Sequence, residues 1–256
     1  CLFSQPDQEI MTDPSYAGQI VTFTFPHIGN TGFTAEDDEA TDPFAAGMVV
    51  KWDPTDPSSW RAQDELAPWL KASGRIAIGG IDTRRLTRTI RQQGAPHVAL
   101  CHNPEGYFDV KDLLLQAQAF AGLEGLDLAK DVSCTQPYKW NEKRWAWGEG
   151  YVKESAPKYK VVAIDYGAKR NILRSLASVG CDVTVLPAFA TAEDILTYKP
   201  DGIFLSNGPG DPAATGIYAV PIIQEILAQT NIPLFGICLG HQMLALALGA
   251  KTIKMS

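Results

Sequence analysis

Residues 232–249 read IPLFGICLGHQMLALALG, from Ile232 to Gly249, and the fold of the second half of the chain follows from them. The apolar run Ile232–Ile237 has the composition of a buried parallel strand. Gly236 and Gly240 bracket Cys238, and a helical pattern follows through Met243, Leu244, Ala247 and Leu248. Strand, sharp turn and helix with a nucleophile at the bend is the elbow arrangement, here G-x-C-x-G with cysteine in place of serine. The flanking glycines serve a turn too tight for side chains on either side of the nucleophile. A lone cysteine at a strand end is ordinarily a core residue. The bracketing glycines and the strand–helix context favour a nucleophile, Cys238, whose thiolate a helix N-terminus stabilises. The N–H of Leu239 is expected where a tetrahedral oxyanion would form.

Working upstream, the character of the chain changes at Tyr159. KVVAIDYG is a continuous apolar strand, Lys169–Gly180 a helix closed by glycine, Asp182–Leu186 a strand and Thr191–Tyr198 a helix capped by Thr191. Gly202–Leu205 is a strand running into SNGPGDP, Pro212–Gln229 contains a helix, and Lys251–Met255 begins one more strand. Alternating β and α segments with apolar strands predict an open, mostly parallel sheet with helices on both faces. Ligands of such sheets bind beyond the carboxyl ends of the strands, where both SNGPGDP and GICLG fall. The loop Ser206–Pro212 is neither a Walker A loop nor a dinucleotide fingerprint. Its expected use is exposed backbone N–H groups beside Cys238, against the plainer alternative of a strand-to-helix turn built from turn formers.

A cysteine nucleophile needs a base. His241 leaves the turn on the helix and is poorly placed to deprotonate Cys238, so packing or turn capping is its expected role. His27, His97 and His102 belong to the first half, and no histidine follows His241. On residues alone this is half of a nucleophilic site.

The first half is a separate α/β region. Strands are expected at Gln19–Phe25, with Val21, Phe23 and Phe25 on one face, at Ala46–Lys51, at Ile76–Ile78 and at His97–His102. Thr12–Ser15 and Gly29–Gly32 read as turns and Ala35–Asp42 as an acidic loop. Helices are expected at Trp60–Ala72, at the basic stretch RRLTRTIRQQG capped by Asp82 or Thr83 and closed by Gly94, and from Val110 to about Ala121 with leucines facing a core. Arg84, Arg85, Arg88 and Arg91 read as a solvated helix face, with a phosphate or partner surface as the alternative. Lys130–Lys160 reads as a linker whose Trp140, Trp145 and Trp147 pin it to a surface. The organisation is therefore an N-terminal α/β domain (1–129), a linker (130–158) and a parallel-sheet domain (159–256).

Composition narrows the function. The formal net charge is −7 with no basic cluster, which argues against nucleic acid or an anionic membrane as partner. No apolar run reaches membrane-spanning length, and the start, CLFSQPDQEI, is not a signal peptide. The five cysteines, Cys1, Cys101, Cys134, Cys181 and Cys238, form no C-x-x-C pair. They suit a reducing cytoplasm with free thiols and no metal site.

GICLGHQ with an upstream NGPGDP resembles the class I (triad) glutamine amidotransferases, whose domain is flavodoxin-like. MTDPSYAGQIVTFTFPHIGN and GIDTRRLTRTIRQQGA resemble the small, glutamine-hydrolysing subunit of carbamoyl-phosphate synthetases; the likeness runs from about Glu9 onward. It implies that Cys238 attacks the side-chain amide of glutamine, forms a glutamyl thioester and releases ammonia. It implies further that the backbone of Leu239 and Gly208 holds the oxyanion and that Gly210, Gln242 and Ser15 position glutamine, with Ser15 coming from the first domain. The implied partner is a large synthetase subunit that uses ATP, magnesium and bicarbonate, while this chain itself carries no cofactor. Arginine and pyrimidine biosynthesis are the implied pathways. The family's catalytic histidine and glutamate form an H-x-E pair well downstream of the elbow, beyond Ser256, and the opening also departs from the family pattern. The sequence thus reads as truncated at both ends, with its parallel-sheet domain incomplete at the C-terminus, and weak glutaminase activity is expected of the chain as written. A non-catalytic glutamine-binding or scaffold subunit is the alternative. Anthranilate or guanylate synthase components lack the first domain, and a stand-alone hydrolase of γ-glutamyl compounds needs no large partner.

Overall fold

The computed structural model describes residues 7–253, in two compact units that divide between Leu123 and Glu124. The first unit runs α1 (Asp7–Thr12), β1 (Ile20–Thr22), β2 (Gly47–Val49), α2 (Leu66–Ala72), β3 (Ile76–Ile78), α3 (Thr83–Gln93) and α4 (Val110–Ala119). Its three strands form a parallel sheet in the order β1-β2-β3. Met11, Phe23, Ile28, Met48, Leu66 and Leu70 make its core.

Several expectations for this unit change. The strand predicted over Gln19–Phe25 is short, and only Phe23 of its aromatic pair turns inward; Phe25 is 56% exposed. The ladder closes with Phe23 N–H donating to Val49 O (2.9 Å). The segment His97–His102 is irregular and not a strand: among the described residues β3 pairs with β2 alone and no ladder receives this segment. Helix α4 forms as expected, but Leu114 and Leu115 are 57% and 63% exposed and no residue of α4 is buried. The capping signal, Asp109 accepting from Lys111 and Asp112 N–H, makes a helix; it does not decide what the helix faces. The arginines of α3 are exposed.

The second unit runs α5 (Ala129–Val132), β4 (Tyr138–Trp140), β5 (Tyr159–Asp165), α6 (Arg170–Ser178), β6 (Cys181–Pro187), α7 (Ala192–Thr197), β7 (Gly202–Leu205), α8 (Pro212–Gln229), β8 (Leu234–Gly236) and α9 (Leu239–Ala247). The sheet order is β4-β6-β5-β7-β8, with β4 antiparallel and the others parallel. The parallel strands follow the doubly wound order 2-1-3-4 of flavodoxin-like sheets. Alternate residues of one strand feed opposite faces. Val162, Ile164, Ile203 and Leu205 pack with Ile195, Ile223 and Met243 of α7, α8 and α9, while Ala163, Val183, Val185 and Phe204 pack with Leu173 of α6. Both faces of β5, β6 and β7 are therefore covered, and those strands need continuous apolar sequence; β8, at the sheet edge, leaves Phe235 61% exposed, so the run Ile232–Ile237 is not the buried strand expected.

The stretch 130–158, read as a linker, supplies the edge strand β4. Trp140 packs on the α6 face, and the buried Arg174 of α6 lies 3.9 Å from the Tyr151 ring and 5.8 Å from that of Trp140. Trp145 and Trp147 meet edge to face, with Trp147 itself exposed. The strand expected from Lys251 is irregular over 251–253, and its remainder lies outside the described residues.

Candidate active site

Strand β8 ends at Gly236, beside Leu205 at the end of β7. Two residues later Cys238 takes φ 51°, ψ −113°, a conformation that costs a non-glycine residue about 1–3 kcal/mol. The next residue starts α9, so the side chain of Cys238 is thrown out at the carboxyl edge of the sheet, where it is exposed.

The glycines explain how the bend closes. A Cβ on Gly236 would lie 2.6 Å from Gly240 O and His241 N. One on Gly240 would strike the Leu205 carbonyl and lie 2.6 Å from Ser206 O. These are backbone atoms, which cannot swing aside. Ile237 N–H donates to Leu205 O (3.1 Å) and Gly240 N–H to Ser206 O (2.9 Å), so the elbow is bonded directly to the loop that leaves β7.

That loop, Ser206–Asp211, is fastened on its other side to the turn after β5. Tyr166 N–H donates to Ser206 Oγ (2.8 Å), which donates to Asn207 O (2.7 Å). Asn207 accepts from Lys169 N–H (3.0 Å) and donates from Nδ2 to Gly167 O (2.9 Å). Asp165 Oδ1 accepts from Gly167 and Ala168 N–H (2.9 and 2.7 Å), and its Oδ2 from Cys134 N–H (2.8 Å). Ser206 and Asn207 are buried, so each bond satisfies a group that water cannot reach. Gly208 is pressed against the Tyr166 carbonyl, whose carbon would lie 2.7 Å from an added Cβ. Its glycine is thus a packing requirement as well as a turn former.

Leu239 opens α9 and Gly208 lies in the loop bonded to that elbow, and among the described residues neither N–H meets an acceptor. Gln242 is half-buried on the first turn of α9, its N–H bonded to Cys238 O (3.0 Å). Gly210 follows Gly208 with φ 100°. Ser15 lies in the first unit, in the 3-10 turn Pro14–Tyr16, its N–H donating to Asp13 Oδ1 (2.9 Å). His241 is exposed on α9, not packed as expected, and among the described residues no hydrogen bond joins it to Cys238. Burial pushes the Tyr166 hydroxyl pKa up, with nearby Tyr218 adding to the effect. Burial, then the charge of Asp165, pushes the Cys134 thiol up to about 12. Cys134 is half-buried, whereas Cys238, like Cys101 of the first unit, is exposed.

Sequence reasoning identified both glycine loops but not Asp165, nor the bracing roles of the Ser206 and Asn207 side chains. An aspartate followed by tyrosine and glycine at the end of a buried strand was the available signal, since such a carboxylate accepts from the next turn's N–H groups.

Two family profiles match the chain: carbamoyl-phosphate synthase small chain, CPSase domain, over residues 6–100, and glutamine amidotransferase class-I over residues 162–256. The chain is 75% identical over 249 residues to the carbamoyl phosphate synthase small chain of Ruegeria pomeroyi, covering 97% of this chain and 64% of that protein. Along nearly its whole length the chain is similar to carbamoyl phosphate synthase small chains. Small chains of Rhizobium meliloti and Caulobacter vibrioides are 60% and 58% identical, again over 97% of this chain, covering 63% and 65% of theirs. The chain thus spans a little under two thirds of the length of these small-chain relatives. The two profiles fall one on each unit, and the class I amidotransferase match includes both the Ser206–Asp211 loop and the Cys238 elbow.

Proposed function

We propose that Cys238 is the nucleophile of a glutamine-hydrolysing centre that supplies ammonia for carbamoyl phosphate synthesis. The observation that carries this reading is the backbone of Cys238, held at φ 51° between Gly236 and Gly240, in an elbow that Gly240 N–H bonds to Ser206 O of the loop after β7. A scaffold that only bound glutamine would have no use for strain at that residue.

The Cys238 sulfur attacks the side-chain amide carbon of glutamine. The carbonyl oxygen takes the negative charge and is held by Leu239 and Gly208 N–H, groups already fixed before reaction. Gly210 and Gln242 hold the substrate. The tetrahedral adduct collapses as the carbon–nitrogen bond breaks, the nitrogen takes a proton and ammonia leaves. Water then cleaves the glutamyl thioester to glutamate and regenerates the thiol. Family resemblance assigns the proton transfers to a histidine oriented by a glutamate; His241 is not that base.

Ammonia passes to a large synthetase chain, which uses ATP with magnesium and bicarbonate. The small chain needs no cofactor of its own for its half-reaction. The setting is the cytoplasm, and the product serves arginine and pyrimidine synthesis. Among the described residues no helix is long and apolar enough to cross a membrane.

The test is alkylation of Cys238 by a chloroketone analogue of glutamine, located by peptide mass mapping. Labelling at Cys238 that glutamine blocks, and that Cys238→Ala abolishes, is the expected result. Labelling indifferent to glutamine would overturn the reading.

A further inference from the structure

The loop that carries Gly208 is anchored at its far end by the segment that opens the second unit. Asp211 N–H donates to Leu126 O (2.9 Å), and Asp211 Oδ2 accepts from Gly125 N–H (2.8 Å). Gly210, just before Asp211, packs so close to the same segment that an added Cβ would be 2.9 Å from both Leu126 O and Leu128 N. Asp127, on the same segment, accepts through Oδ1 from Thr215 Oγ1 and Tyr218 OH, both at 3.2 Å, on the first two turns of α8. The segment Gly125–Leu128 is thus a strap across the glycine loop and the start of α8.

Asp211 has two separable jobs. Its Oδ1 accepts from Ala213 N–H (2.8 Å) and caps α8, an ordinary N-cap function. Its Oδ2 holds the strap. Capping alone needs one acceptor, and asparagine supplies it equally well. The second oxygen is spent on Gly125, immediately after the division between the two units.

We propose that Asp211 is a positioning residue: by holding the Gly125–Leu128 strap it fixes Gly208 and Gly210 in the orientation that receives glutamine, with Asp127 securing the strap from the other side. This rests on the glutamine-hydrolysing reading above. Its consequence is that the geometry of the glycine loop depends on the segment joining the two units, and not only on the sheet.

The test compares two alkylating reagents on Cys238 in the parent chain and in variants. The chloroketone analogue of glutamine uses the glycine loop; iodoacetamide needs only an accessible thiol. Asp211→Asn keeps the α8 cap but places an amide N–H against Gly125 N–H. It is expected to slow labelling by the chloroketone at least fivefold, while the iodoacetamide rate stays within twofold and the far-UV circular dichroism is unchanged. Asp127→Ala is expected to slow the chloroketone likewise, and Asp127→Asn, whose remaining oxygen still accepts from Thr215 and Tyr218, to restore it. Parental chloroketone rates in both Asp211→Asn and Asp127→Ala would overturn the proposal, as would a parallel fall with both reagents. If glutamine fails to protect the parent chain itself, the functional reading falls and the proposal with it, a result distinct from protected labelling that ignores Asp211.

Discussion

Two helical glycines of the second unit should respond oppositely to the same substitution. Gly240→Ala places a methyl against the Leu205 carbonyl and 2.6 Å from Ser206 O. Leu205 is in β7, hydrogen-bonded between β5 and β8, so relief requires α9 to retreat from the sheet. Reaching an ordinary contact distance takes a shift of roughly 1 Å, which stretches the 2.9 Å bond from Gly240 N–H to Ser206 O. Losing that bond costs about 1 kcal/mol net, and overpacking adds about 1–3 kcal/mol. Alanine's helix preference returns about 1 kcal/mol, leaving a destabilisation of about 1–3 kcal/mol by these increments. Gly216→Ala, inside α8, meets only Leu246 Cδ1 and Val220 Cγ2 at 3.5 Å, an ordinary packing distance. It should stabilise by about 0.5–1 kcal/mol. Equilibrium urea unfolding measures both, an unchanged m-value confirming that the same surface is exposed. Gly240→Ala should also lose glutamine-protected labelling of Cys238. A Gly240→Ala midpoint at or above the parent's would refute the account of the elbow as a close backbone approach.

Ser206→Ala leaves the buried Tyr166 N–H without its acceptor and should cost about 1–3 kcal/mol in urea unfolding, with a larger loss in Cys238 labelling by the glutamine analogue than by iodoacetamide. Arg174→Ala removes the cation beside Tyr151 and Trp140 and strands Glu142, its partner at 3.4 Å. A cost of about 2–4 kcal/mol is expected, with faster proteolysis within residues 141–152. With a chromogenic disulfide reagent at pH 8, Cys101 and Cys238, both exposed, should react ahead of Cys134 and the buried Cys181, which peptide mapping of early and late products resolves. Cys134, raised from 9.0 to about 12 in the folded chain, keeps its proton where an unfolded chain has lost it. Stability should therefore fall as pH rises from about 9 towards 12, and Cys134→Ala should flatten that decline.

The second unit was legible because each of its signals is local and repeated. Continuous apolar strands such as Val161–Ile164 announce burial on both faces, and glycines at Gly236 and Gly240 announce a bend that tolerates no side chain. The first unit was less so. Its strands are three residues long, too short for periodicity to set their ends. Phe25 and Leu114 are apolar yet exposed, because a side chain's character does not say whether a partner surface exists for it. That Cys238 sits at a strand-to-helix elbow is already written in G-x-C-x-G and its flanking pattern, which admit little else. What holds that elbow and its neighbouring loop in place emerges only in the folded chain. Asp165, Ser206, Asn207 and Asp211 act through hydrogen bonds to backbone groups tens of residues away, such as Tyr166 N–H and Gly125 N–H. Such pairings arise when the sheet brings strand ends together, and no local spacing encodes them.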